Sequence, residues 1–149
     1  SLPEELYGNQ IASFEDYEKW RIQNLFPIGE GEINSSSNPF ELGISDLMNF
    51  DKGCYLGQER IVKLFRSGKV KQKLVSWKSA KKIKIGSLLS LSSNFVDPYR
   101  NVGRVTSSLE DSESGGSIGL AIIRASALQT SKIYNIKENI GYSSIVVNN

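Results

Sequence analysis

Ile61-Val62-Lys63-Leu64-Phe65-Arg66-Ser67-Gly68-Lys69-Val70-Lys71-Gln72-Lys73-Leu74-Val75-Ser76-Trp77 changes its hydrophobic period in the middle. Before Gly68 the apolar residues Ile61, Leu64 and Phe65 fall three and four positions apart, which lays them on one face of a helix. After Gly68, polar residues begin to alternate, as expected of a strand with one wet face. The same reading continues downstream, with strands expected at 69–77, 83–91, 101–108, 117–124, 131–136 and 144–147. The separators Asp97-Pro98, Asp111–Gly116 and Asn139-Ile140-Gly141 are turn-rich. Regular short strands between turn signals are the mark of a small antiparallel barrel or sandwich. The expected fold class is therefore α+β: a mainly helical part over 1–67, then an antiparallel β-barrel over 68–149.

Upstream of this switch, Ser13 is placed to cap a helix. Glu15 and Asp16 follow in the first turn, where the helix dipole favours anions, and Pro27 is expected to close the run Phe14–Phe26. At about 100° per residue, Phe14, Tyr17, Ile22, Leu25 and Phe26 share one face. Arg21 falls among them, one turn after Glu18, and can pair with it or snorkel from a buried stem. Gly29, Gly31 and Ser35-Ser36-Ser37-Asn38-Pro39 read as a turn and an exposed loop.

With 149 residues, 39% apolar and 23% charged, the chain has the size of one globular domain or two small ones. No apolar run approaches the roughly 20 residues needed to cross a bilayer, so no membrane partner is expected. The chain begins Ser-Leu-Pro without an initiator Met or a leader pattern, and a start upstream of Ser1 is expected. The single Cys54 excludes an intramolecular disulfide and fits a reducing compartment, either cytoplasm or, in a eukaryote, an organelle matrix. With one Cys and no His, no metal site is read. Triads, Cys-His pairs and His-carboxylate iron sites are excluded for want of an imidazole. Carboxylates, Lys, Tyr and one thiol remain for acid–base work.

Charge is unevenly spread. Residues 1–59 hold eleven acids against Lys19, Arg21 and Lys52, whereas 60–96 hold ten bases and no acid. Such a segment can meet an anionic partner or form a solvated Lys-rich face.

Between the helical part and the strands stands Asp51-Lys52-Gly53-Cys54-Tyr55-Leu56-Gly57-Gln58-Glu59-Arg60. Two glycines bracket the cysteine just before a helical pattern, which places the thiol on a loop at a helix N-terminus. Such a position, with Lys52 beside it, favours the thiolate, and a reactive thiolate and a small buried hydrophobe are both open readings.

The octapeptide Lys52–Glu59 resembles the signature of the YgfZ-type proteins, folate-binding relatives of the glycine-cleavage T-protein that act in iron–sulfur cluster maturation. The resemblance extends through Trp20-Arg21-Ile22 with Pro27, Asn38-Pro39-Phe40-Glu41, Val102-Gly103-Arg104-Val105-Thr106-Ser107 and Ile118-Gly119-Leu120-Ala121, from about residue 14 to the end. It implies that 1–67 is a mainly helical remnant of the folate-binding body and 68–149 its C-terminal barrel, with an N-terminal half upstream supplying much of the pocket. It also implies tetrahydrofolate as cofactor, with Glu41 as the pterin-binding carboxylate on a helix after the loop. Arg21, Tyr55, Gln58 and Glu59 would be further cofactor contacts, and Cys54 with Lys52 the reactive pair. Lys63 stands where many members have Arg, replacing a planar fork by a point charge. Implied partners are folate and iron–sulfur clients or assembly proteins, any cluster being shared because the chain has one cysteine. The alternatives are a folate-dependent aminomethyltransferase like the T-protein, which lacks the Cys-containing octapeptide, and a module linked to tRNA modification. For the latter only Phe65, Trp77 and Phe95 interleave the lysines.

Overall fold

In the computed structural model the described residues are 12–50, 52–91, 101–111, 115–129, 131–137 and 142–148. Among the described residues, three α-helices, α1 (Phe14–Gln23), α2 (Gln58–Ser67) and α3 (Ala125–Leu128), accompany six strands. The strands are β1 (Gln72–Ser79), β2 (Leu88–Ser90), β3 (Asn101–Asp111), β4 (Gly116–Arg124), β5 (Ile133–Lys137) and β6 (Tyr142–Asn148). They close in the order β1-β4-β3-β2-β5-β6, every pair antiparallel, with β6 returning to β1 through Trp77 opposite Val147. The fold is α+β, and the barrel expectation holds. No helix among the described residues is long and apolar enough to cross a membrane.

The part before Gly68 is less helical than its pattern suggests. Between α1 and α2 it is turns and irregular backbone, apart from a 3-10 turn at Ser45–Leu47. α1 starts as expected: Ser13 accepts from the Asp16 N–H, and the Asp16 carboxylate accepts from the Ser13 N–H, a reciprocal capping box. It ends three residues before Phe26. There Leu25 adopts φ 53°, its N–H reaching Ile22 O and that of Phe26 reaching Arg21 O at 2.8 Å. This six-to-one closure is the Schellman motif, and the Trp20 and Phe26 rings supply its apolar contact at 5.9 Å. The expected apolar face of α1 is correspondingly not a core face. Only Ile22 of that set is buried, and Phe14, Tyr17, Leu25 and Phe26 stay exposed. The strand expected over 83–91 shortens to Leu88–Ser90; Asp97-Pro98 and Asn139-Ile140-Gly141 lie outside the described residues.

The barrel interior collects Val75, Trp77, Leu89, Val105, Ala121, Ile123, Tyr134, Ile145 and Val147. The alternate residues of β1 and β4 point outward, where Leu74, Leu120 and Ile122 form a second cluster with Ile22 of α1 and Leu42. β4 is therefore covered on both sides, which explains its near-continuous apolar run Ile118–Ile123. In β3, Val105 pairs with Ala121 but Ser107 with Leu120, so Thr106 is an extra residue in a bulge. The bulge reverses the alternation. Ser107 then faces outward with Leu120 instead of into the barrel.

Gly119 sits where the Trp77 ring crosses from β1, and a Cβ there would overlap Ser107 O and Trp77 Cζ2. Gly119→Ala should lower stability by about 2 kcal/mol in chemical denaturation, because an overfilled core must shift backbone. Gly53→Ala, where no atom lies within 4 Å, should change it by less than about 0.5 kcal/mol. Equal effects would show that the barrel yields at Gly119.

Candidate functional site

Two features organise the polar chemistry. The first is a buried network. Arg21 directs its Nε to Glu18 Oε1 at 2.6 Å and its Nη2 to Glu18 Oε2 at 2.7 Å and Ser107 Oγ at 2.9 Å. The Ser107 hydroxyl donates to Glu32 Oε1, while Glu32 Oε2 accepts from the Ile28 N–H at 2.7 Å and lies 3.5 Å from Arg21 Nη1. Arg21 and Glu32 are 4% and 1% exposed. Burial works against the guanidinium charge, yet the Glu18 hydrogen bonds and the charges of Glu32 and Glu18 hold its pKa above the ordinary arginine value. Arg21 stays charged, and its Glu18 pairing is the one the helical spacing implied.

The second feature is a cleft of about 510 Å³ between the loop Ser35–Glu41 and α2. Pro39, Leu56, Ile61 and Leu64 give it apolar wall, and Arg60, Lys69 and Lys71 give it cations. Glu41 lies in a turn rather than on a helix: the Asn38 side chain accepts from the Phe40 and Glu41 N–H groups at 3.1 Å and folds the chain back on itself. The Glu41 carbonyl accepts from the Leu74 N–H at 2.8 Å and its carboxylate from Gln72 Nε2 at 3.2 Å, so β1 fixes both. Although exposed carboxylates are the rule, this one is buried, and it lines the cleft. The cleft opens beside α2, which begins at Gly57 with φ 84° and ends at Gly68 with φ 59°, both left-handed positions that favour glycine.

α2 buries none of its residues fully, although its pattern is strongly amphipathic. The Phe65 ring packs tilted against Phe50 at 4.7 Å and Phe40 at 6.1 Å, and these rings tie α2 to the loop that carries Glu41.

Cys54 is exposed on the loop that leads into α2. It lies three residues before the N-cap Gly57, and the adjoining glycines Gly53 and Gly57 have no atom within 4 Å of a built Cβ. The Lys52 ammonium lies over the Tyr55 ring, 5.5 Å from its centre, as a cation–π pair. Gln58 is half-buried and Glu59 exposed in the first turn of α2. The cleft and the thiol loop thus meet at Leu56 and Gly57. Arg21 lies apart from both, in the network behind the loop.

Sequence reasoning missed Glu32, Ser107 and Gln72. Glu32 sits in Gly29-Glu30-Gly31-Glu32, a stretch that reads as solvated turn, and its partner Ser107 is 75 positions away. No local pattern marks such a pair.

Comparison with known proteins places this architecture. No protein-family model matches the chain. A solved structure, the glycine cleavage system aminomethyltransferase T of Bartonella henselae, superposes on 89% of this chain and 36% of that one with a TM-score of 0.69. At 14% identity the likeness is one of fold. The chain has an aminomethyltransferase-like fold. Among curated sequences it is 28% identical over 124 residues to a chloroplastic protein of Arabidopsis thaliana named as a candidate transferase. It is 39% identical over 57 residues to the mitochondrial iron–sulfur cluster assembly factor IBA57 homolog of Candida albicans. These matches cover 83% and 36% of this chain but only 27% and 12% of the relatives' lengths.

Arg21→Ala should destabilise the chain by about 3 kcal/mol, because it strands the buried Glu32 carboxylate. Lys82→Ala, at an exposed pair with Glu110, should cost less than about 1 kcal/mol. Urea denaturation of the two variants measures the difference. Comparable losses would mean that the network contributes no more than a surface pair.

Proposed function

We propose that this chain is the C-terminal part of a tetrahydrofolate-binding protein, built like the aminomethyltransferases, that assists iron–sulfur cluster assembly or repair. The observation that carries the folate reading is the cleft with the buried Glu41 carboxylate in its wall. Its volume lies within the few hundred to about 1,000 Å³ usual for small-molecule sites. The residues suit the ligand. A carboxylate accepts two hydrogen bonds from the N–H edge of a pterin, Leu56, Ile61 and Leu64 suit its ring, and Arg60 suits a glutamate carboxylate. Gln72 holds Glu41 in place through one oxygen, leaving further lone pairs to accept from a ligand. Bound tetrahydrofolate would supply a carrier for a one-carbon unit.

In this reading the chain divides near Gly68 into the folate-binding remnant and the barrel. Cys54 is the thiol offered to a cluster or a client, with Lys52, Tyr55, Gln58 and Glu59 around it. A cluster is cargo here, and the single thiol of this chain leaves the other ligands to come from the rest of the protein, a partner protein, a second copy or an external thiol. The Candida relative's name supports this role, and a cytoplasmic or organellar matrix location is consistent with the reduced thiol. A second reading, folate-dependent aminomethyl transfer, draws on the fold and on the Arabidopsis relative's name. The tRNA alternative gains nothing: Trp77 is buried in the barrel and Phe95 lies outside the described residues.

Calorimetry of the isolated chain with monoglutamyl tetrahydrofolate should give binding weaker than micromolar, since a partial site lacks the pre-organisation on which affinity depends. Micromolar binding would place the whole pocket within these residues. In cells, Cys54→Ala in the full-length protein should lower iron–sulfur enzyme activities while its own abundance stays normal, because an exposed side chain contributes little packing. Unchanged iron–sulfur activity would remove Cys54 from the function and favour the aminomethyltransferase reading.

A further inference from the structure

Four aromatic rings climb the outside of α1. Phe14, Tyr17 and Trp20 lie three residues apart with neighbouring ring centres 6.4 Å from one another, and Phe26 adds a fourth ring 5.9 Å from Trp20. The four side chains are 76%, 37%, 51% and 41% exposed in that order. At Leu25, next to Phe26, the apolar surface continues into a groove of about 480 Å³ along the seam where β6 rejoins β1, with Ile22, Leu25 and Ile118 as its apolar lining. Trp20 and Ile22 are two positions, hence about 200°, apart around the helix. Ile22 is buried in the cluster on the barrel wall, and Trp20 stands on the other side. A helix with apolar side chains on opposite sides is a layer between two partners, and the described residues supply only the barrel.

The size of this face decides what covers it. At the 150–250 Å² of an aromatic side chain, the four exposures amount to roughly 300–500 Å² of bare ring, a patch that marks an interaction surface. A separate partner chain needs about 800 Å² on each side for a stable complex, and the rings supply about half of that. A segment of the same chain needs less, because the covalent link holds it at an effective concentration in the millimolar range. Charge also disfavours a second copy. Residues 1–59 hold eleven acids against three bases, and a two-fold pairing through α1 sets Glu15 and Asp16 against their own copies. The curated relatives, of which the matches cover only 27% and 12%, have ample further length. Resting on the reading of this chain as the C-terminal part of a longer protein, we propose that the ring ladder of α1 and the groove beside Leu25 seat the preceding part of that protein. The occupant presents an apolar face to the rings and inserts an apolar side chain into the groove.

The test is hydroxyl-radical footprinting of the full-length protein, read residue by residue by mass spectrometry, with the same protein unfolded in urea as the reference. Trp77, 1% exposed, is the internal standard for a covered ring. Phe14, Trp20 and Phe26 should be protected about tenfold, close to the value for Trp77, because a ring touched on all sides excludes the radical along with water. That protection should stay constant over about a hundredfold dilution, as a contact within one chain must. Protection of only about twofold, the value that the exposures in this chain imply, would overturn the docking surface and leave the functional reading standing. Protection that fades on dilution would overturn it too, in favour of a second copy on the same face. An intact mass showing that the natural protein ends with these 149 residues and has nothing before them would sink the reading of a longer protein, and the inference with it.

Discussion

The buried guanidinium of Arg21 is the constraint from which the rest of the site follows. A charge removed from water is costly unless it is hydrogen-bonded and paired, and here Glu18 and Ser107 accept its hydrogen bonds while Glu32 faces it as an ion pair, from three separate parts of the chain. Glu32 in turn holds the loop at both ends. Its carboxylate accepts from the Ile28 N–H and its carbonyl from the Ser37 hydroxyl. With the loop fixed at Ser37, the Asn38 turn and the buried Glu41 that follow have a defined position against β1. The cleft wall is thus set by Arg21, Glu18, Glu32 and Ser107, none of which lines the cleft.

The bulge at Thr106 makes this possible. Without the extra residue, the β3 side chain at position 107 would enter the barrel and Arg21 would lose its partner from the sheet. The loop reinforces the same spot, with Arg104 Nη2 donating to Gly31 O at 3.2 Å and Gly31 packed against the Thr106 backbone. Core packing and site geometry therefore share residues: Leu120, opposite Ser107, belongs to the cluster that buries Ile22, one residue after Arg21.

The barrel was legible because its information is local. The change of period at Gly68 and the turn residues between strands mark where strands begin and end. The α1 cap was legible for the same reason, since Ser13 and Asp16 are three residues apart. Its end was not, because Leu25 takes a left-handed conformation that its residue type disfavours and that the Schellman closure imposes. The aromatic face of α1 misleads in a different way: periodicity reports amphipathicity and not what covers the apolar side, and Phe14, Tyr17 and Phe26 remain exposed in this chain. Of the candidate site, the thiol loop and Glu41 came from the motif around them. Glu32, Ser107 and Gln72 act through partners far away in sequence, where no window of residues can find them.

That distance also sets an order of events in time. Arg21 meets Ser107 across 86 positions, and Ile22 packs on Leu74, Leu120 and Ile122. A ribosome delivers α1 and its loop first, but the surface that covers them exists only after β3 and β4 have emerged and paired. The last strand must then return to Trp77 before the barrel closes. Non-local closure of this kind makes folding slow. For the whole of that interval Arg21 and Glu32 stay hydrated and Ile22 is bare, so the early half of the chain waits for the late half to give it a core.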